Sequence, residues 1–244
     1  MTALTRPYWI EARFERREGW DHDAYPFNLP AVRMTETLAF HPRVTFIVGE
    51  NGSGKSTLVE ALAVAWGFIA EGGSRDHQYS TRASHSALHQ FVRPVRAPLK
   101  ARDGYFLRAE SFFTTASYLE TTGTGRAGQH GLHEQSHGES FFDLFENRFE
   151  GSGLYIMDEP EAALSPSRQL SFLARMHDLV GRESQFIIAT HSPIILGYPD
   201  AWIYQASEHG LERIEYEDTE HYHVTRGFLN RRAAYLDVLL SEDD

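Results

Sequence analysis

Nine consecutive residues, Gly49-Glu50-Asn51-Gly52-Ser53-Gly54-Lys55-Ser56-Thr57, constrain the fold of this chain more than any other feature. The first eight, Gly49 to Ser56, fill the pattern G-x-x-x-x-G-K-[ST] completely. Glycines let a loop turn back on itself with its amide N–H groups facing inward, and the lysine and hydroxyl follow where such a loop runs into a helix. The flanks fit that geometry. Residues 44–48, Val-Thr-Phe-Ile-Val, form a β-branched and aromatic run ending in glycine, as a buried parallel strand does. From Lys55 onward the apolar residues Leu58, Leu62, Trp66 and Ile69 share one helical face. In the order strand, glycine-rich turn, helix, the motif is a phosphate cradle: backbone amides wrap the oxygens, Lys55 brings charge to the β and γ positions, and Ser56 offers its hydroxyl to Mg²⁺. All nine residues from Gly49 to Thr57 are therefore candidate ligand-binding positions.

Two later strands supply the rest of a candidate site. Residues 154–157 are apolar and deliver Asp158 and Glu159 at the carboxyl edge, where open α/β sheets place their ligands. Asp158 is the second metal candidate beside Ser56, and Glu159 is placed to orient an attacking water, since phosphoryl transfer asks mostly for positioning and charge. A third apolar run, 186–189, is followed by Thr190 and His191, whose ring would stand beside a γ-phosphate. Alone, each of these is a strand reaching the surface. In chain order behind the loop they form a set in which Lys55, Glu159 and His191 are the catalytic candidates.

The rest of the chain reads as one α/β domain spanning all 244 residues. Residues 8–14 alternate as a strand and 19–30 as connecting structure. Residues 72–150 read as a lid and helical region within the domain. Its first part, 72–102, is polar, carries Pro94 and Pro98, and suggests a surface excursion. A strand is expected over 104–109, a short helix over 111–120, a Gly- and His-rich loop over 121–138, and an amphipathic helix marked by Phe141, Phe145 and Phe149. A helix over 166–180 opens with proline, and 201–244 suggests two edge strands and a closing helix around 231–240. Strands alternating with helices predict a mostly parallel sheet with antiparallel edge strands and a small helical lid. With no cysteine, neither a disulfide framework nor a thiolate site is available, and a reducing, cytoplasmic setting fits. The net charge of −11 argues against coating nucleic acid by general electrostatics. The longest apolar stretch, 58–70, is too short for a membrane span and contains Glu60.

With these residues in hand, the chain resembles the ABC ATPase superfamily, and more closely the small bacterial predicted ATPases grouped near the SMC and RecF proteins. Residues 49–57 are similar to the Walker A loop, 154–159 to Walker B with its catalytic glutamate, and His191 to the switch histidine. Ser136-His137-Gly138-Glu139-Ser140 resembles the ABC signature, with His137 and Glu139 departing from the transporter form. The resemblance implies that Ser136 and Gly138 of one protomer close on the γ-phosphate held by another. It also implies ATP and Mg²⁺ as cofactors, a homodimer formed on ATP binding, and an unknown protein or nucleic-acid client. Residues 161–165 follow Walker B as a D-loop does, with Ser165 where aspartate is usual, and Glu110 is the nearest counterpart of a Q-loop glutamine. For the adenine-stacking ring, Tyr25 and Phe27 are both candidates, and each also suits a core position.

The expected activity is Mg²⁺-dependent ATP hydrolysis by a chain without a membrane segment. The alternatives are the ATP-binding subunit of a membrane transporter and a non-hydrolysing nucleotide-dependent binding module. The transporter reading calls for a Leu-Ser-Gly-Gly-Gln signature, which is missing. A guanine-reading Asn-Lys-x-Asp element is also missing. His130, His133 and His137 lack the helical spacing of a zinc site. The basic residues Arg93, Arg96, Lys100 and Arg102 read as a solvated face.

Overall fold

A computed structural model of the chain describes residues 7–74, 86–108 and 145–241. Its strands are β1 (Trp9–Phe14), β2 (Thr37–Ala39), β3 (Val44–Gly49), β4 (Gly73–Ser74), β5 (Val92–Arg96), β6 (Asp103–Arg108), β7 (Gly153–Asp158), β8 (Gln185–Ala189), β9 (Trp202–Ser207) and β10 (Gly210–Ile214). Beside the helical residues 145–148, the labelled α-helices are α1 (Pro30–Arg33), α2 (Lys55–Trp66), α3 (Pro166–Gly181), α4 (Pro193–Leu196), α5 (Glu220–Asn230) and α6 (Arg232–Leu240). Among the described residues, seven strands form the main sheet in the order β10-β9-β3-β8-β7-β6-β4. The five from β9 to β6 run parallel, and β10 and β4 close the two edges antiparallel. The mixed α/β class expected from the alternation of strands and helices is the one observed.

Every residue of β3, β7 and β8 is buried, as a sheet covered on both faces requires. Side chains alternate across it with the period of two that a strand imposes. Ile47 and Ile156 enter one core with α2 and the small sheet, while Phe46, Val48, Tyr155 and Met157 enter the other with α3. In the second core, Phe149 stacks on Tyr155 at 4.3 Å and Phe145 on Phe172 at 4.5 Å. This accounts for the aromatic spacing of Phe145 and Phe149. Parallel register then lines up the strand ends: Arg108 pairs with Asp158, Asp158 with Ala189, and Ile47 with Ala189.

Three expectations change. Residues 86–102 are not a surface excursion. Leu88, Phe91 and Val92 are buried, and β5 is an outer strand of a three-stranded antiparallel sheet ordered β2-β1-β5. Pro94, opposite Ala12, suits an outer strand because it has no ladder N–H to give on its open side. Helix α2 ends at Trp66, where Gly67 takes a φ of 115°, so Ile69 lies beyond it. Lying between two sheets, α2 also buries Val59, Ala61 and Ala63, more than one face. In the tail, β9 is interior and parallel to β3, not an edge, and two helices follow instead of one.

A buried glutamine fastens the two sheets together. The side-chain oxygen of Gln185, at the start of β8, accepts from the Trp9 N–H at 2.9 Å, and its Nε2 donates to the carbonyls of Trp9 and His41, both at 3.0 Å.

Candidate functional site

β3 ends at Gly49, and the chain loops through 50–54 before α2 begins at Lys55. Gly54 precedes the helix at φ 95°, and a Cβ there would lie 2.9 Å from Cβ of Leu29, so only glycine lets the two segments approach this closely. The Ala31 N–H donates to the Ser53 carbonyl at 3.0 Å and braces the loop from outside. The first N–H groups of α2 have no partner within the helix and face the loop, carrying the positive end of its dipole. Lys55, only 4% exposed, donates from Nζ to the carbonyls of Gly49 at 2.8 Å and Glu50 at 2.7 Å. Burial lowers its pKa, and the charges of Glu159, Asp158 and Glu161 oppose that shift. The Ser53 hydroxyl is buried without a hydrogen-bond partner among the described residues.

The two metal candidates meet. The Ser56 hydroxyl donates to Oδ1 of Asp158 at 3.1 Å, and Asp158 is 5% exposed at the end of β7. Two hard oxygen donors beside a phosphate cradle match Mg²⁺, which takes one or two protein ligands and completes its octahedron with phosphate and water. Arg108, missed in the sequence, ends β6 beside this pair. Its Nε is 3.6 Å from Oδ2 of Asp158, and its Nη1 is 2.7 Å from Oε2 of Glu60 on α2. The guanidinium thereby offsets the carboxylates buried around Ser56.

Beyond Asp158 the chain turns sharply. Glu159 has a φ of 51°, a left-handed conformation that costs a non-glycine residue roughly 1 kcal/mol and recurs at functional sites. Its N–H donates to the Ala189 carbonyl at 2.9 Å, and its Oε1 reaches within 3.6 Å of His191 Nε2, too far for a hydrogen bond. Glu161, on the short 3₁₀ turn Pro160–Ala163, receives the Thr190 hydroxyl at 2.7 Å and the His191 N–H at 2.5 Å, one on each oxygen. It thus anchors the end of β8. Burial pushes the Glu161 pKa up, and the donors from His191 and Thr190 pull it back. The His191 ring lies 3.1 Å, Nδ1 to Nε2, from His221 on α5, and burial followed by the charge of Lys55 lowers its pKa, so the imidazole is neutral near pH 7.

The candidate residues from Gly49 to Thr57 form one loop and helix start, and Asp158, Glu159 and His191 line up opposite. Tyr25, 63% exposed, holds its hydroxyl 3.3 Å from Oγ1 of Thr57. Phe27 is 5% exposed and packs on Trp20 at 4.6 Å and Phe91 at 5.0 Å. Of the two rings, Phe27 belongs to the core and Tyr25 borders the site. Ser165 caps α3 by accepting the Arg168 N–H at 3.4 Å. Ser136, Gly138, His130, His133, His137 and Glu110 lie outside the described residues. Arg108 and His221 escaped the sequence reading, and so did the hold of Glu161, read there only as the start of a D-loop, on Thr190 and His191. A local hint existed only for His221, since Thr219 followed by Glu220 is a helix start, and Thr219 does accept the Tyr222 N–H.

Comparison with known proteins adds a family match over the same ground. Residues 32–122 match the family model described as an AAA domain. No curated protein matches the chain. Among solved structures, the SMC head domain from Thermotoga maritima aligns at 15% identity over 85% of this chain and 99% of that one, with a TM-score of 0.46. A nucleotide-free ATP-binding cassette from an ABC transporter aligns at 17% identity over 81% and 89%, with a TM-score of 0.42. No described helix is long and apolar enough to cross a membrane. The family match thus lies over the loop and helix that cradle Lys55, and a mostly parallel sheet brings Asp158 to Ser56 beside them.

Proposed function

We propose that this chain binds ATP with Mg²⁺ and hydrolyses it, two protomers closing around the nucleotides so that the cycle serves as a switch for a client protein or nucleic acid. The observation that carries this reading is the convergence at one sheet edge of a buried Lys55 in the loop, the Ser56–Asp158 pair and Glu159. Lys55 and the amides of 50–57 would bind the β- and γ-phosphates. Ser56 and Asp158 would hold Mg²⁺, which supplies charge neutralisation for the transferred phosphoryl group. Glu159 would orient the attacking water and polarise it, and His191 would reach the γ-phosphate or the water beside it. Ser136 and Gly138 would complete the partner's site. Tyr25, exposed beside Thr57, would stack on the base.

The test is phosphate release with Mg²⁺ and ATP over a range of protein concentrations, wild type beside Glu159→Gln. Turnover rising more steeply than protein concentration, and falling at least about a hundred-fold in the variant with ATP still bound, is the expected result. Turnover strictly proportional to protein would remove the shared site. Turnover indifferent to Glu159 would remove its role as the water-orienting group.

A further inference from the structure

His191 is held by a second imidazole. Nδ1 of His191 and Nε2 of His221 are 3.1 Å apart, with ring centroids 5.3 Å apart and planes inclined by 47°. His221 sits in the first turn of α5, fixed by Thr219, which is fully buried, caps the helix by accepting the Tyr222 N–H and returns its own hydroxyl proton to the Tyr216 carbonyl at 2.8 Å. Two neutral imidazoles at this distance share one proton: one nitrogen donates, the other accepts, and the choice sets the tautomer of both rings. Burial lowers the pKa of each ring, so both are neutral near pH 7.

The far nitrogens decide which way the pair is oriented. Among the described residues His191 Nε2 is buried without a hydrogen-bond partner, and the group it faces is an acceptor, Glu159 Oε1 at 3.6 Å. Lys55, the cation whose field reaches both rings, directs its protons at the Gly49 and Glu50 carbonyls. His221 Nδ1 is likewise buried without a hydrogen-bond partner among the described residues. If His191 donated from Nδ1, its Nε2 would aim a lone pair at a carboxylate. His221 would then carry an orphaned N–H at Nδ1, the costlier kind of unsatisfied group. If His221 donates from Nε2, both faults vanish: an N–H points from His191 toward the acceptors, and only a lone pair is left unpartnered.

We infer that His221 is a positioning residue that fixes His191 in the Nε2–H tautomer, presenting a hydrogen-bond donor to the terminal phosphate. This rests on the function proposed above. It also makes α5, a helix from the tail of the chain, part of the site's geometry.

Long-range ¹H–¹⁵N imidazole spectra test the tautomer without any turnover. They are to be recorded on the wild type, His221→Ala and His221→Gln, with His191→Gln to assign the signals. In the wild type His191 should show a protonated Nε2 and a bare Nδ1. His221→Ala should give mixed tautomers, and His221→Gln should restore the wild-type pattern, because its amide can donate from nearly the same place. In ATP turnover, His221→Ala should lower kcat about ten-fold with KM unchanged, and His221→Gln should stay within about two-fold of wild type. A wild-type Nδ1–H tautomer, or one unmoved in His221→Ala, overturns the inference, as does a kcat indifferent to His221→Ala. A wild type without turnover would remove the ATPase proposal instead, and the spectra would still judge the histidine pair.

Discussion

The phosphate loop and the edge that faces it are held together by different means. In the loop, residues close in sequence are fixed by backbone geometry: left-handed glycines, helix-start amides, and Lys55 tied to the carbonyls of Gly49 and Glu50. At the edge, side chains from distant segments hold one another. Glu161 grips Thr190 and His191, His221 meets His191 from the tail, and Arg108 leans on Asp158 and Glu60. A backbone-held element is broken by adding a Cβ, and a side-chain-held one by removing an acceptor. The two halves of the site should therefore fail to different substitutions.

The largest effect that tests this contrast is expected in the loop. Gly54→Ala should cost about 3 kcal/mol in urea unfolding, from the left-handed backbone together with the contact on Leu29. A cost below about 1 kcal/mol would mean that the loop rearranges freely, and the contrast would collapse. Next comes the edge. Glu161→Ala leaves two donors without an acceptor and should cost about 2 kcal/mol, whereas Glu161→Gln, with one carbonyl oxygen to offer His191, should cost about half of that. Equal costs for the two variants would show that bulk, not hydrogen bonding, holds the end of β8.

The smallest effect is the pH dependence of stability. Burial lowers the pKa of His41, His191 and His221 below the ordinary value of 6.5. The unfolded chain therefore takes up those protons first as the pH falls. Melting temperature should drop as pH falls through 6.5 and continue to drop until the folded-state values are passed. Glu161 works in the opposite sense, because its raised pKa disfavours the folded state once the unfolded carboxyl ionises above 4.5. His41→Gln should flatten the slope without touching the phosphate site, and a slope unchanged in that variant would remove His41 from the account.

The same contrast explains what could be read in the sequence. The P-loop is legible because its chemistry lies in nine neighbours whose conformational needs are written in their types. The strands ending at Asp158 and Ala189 are legible as continuous apolar runs, the mark of a doubly covered sheet. Arg108 is not, since its meaning comes from β6 lying beside β7, and strand order leaves no local trace. Glu161 reads as one more acid after Asp158 and Glu159 until the turn folds it under β8. His221 depends on where α5 docks, and β5 was hidden by the polar residues that surround Leu88, Phe91 and Val92.

Gln185 and Glu161 grip the two ends of β8, one through three bonds to the small sheet and its neighbour, the other through Thr190 and His191. A five-residue strand is about 17 Å long and, with its ladder made on both sides, resists stretching. Both of its ends are thus fixed by side chains as well as by the ladder. The strand therefore spans from the small sheet, held at Gln185, to the backbone N–H of His191, held at Glu161, with no loop between the two anchors.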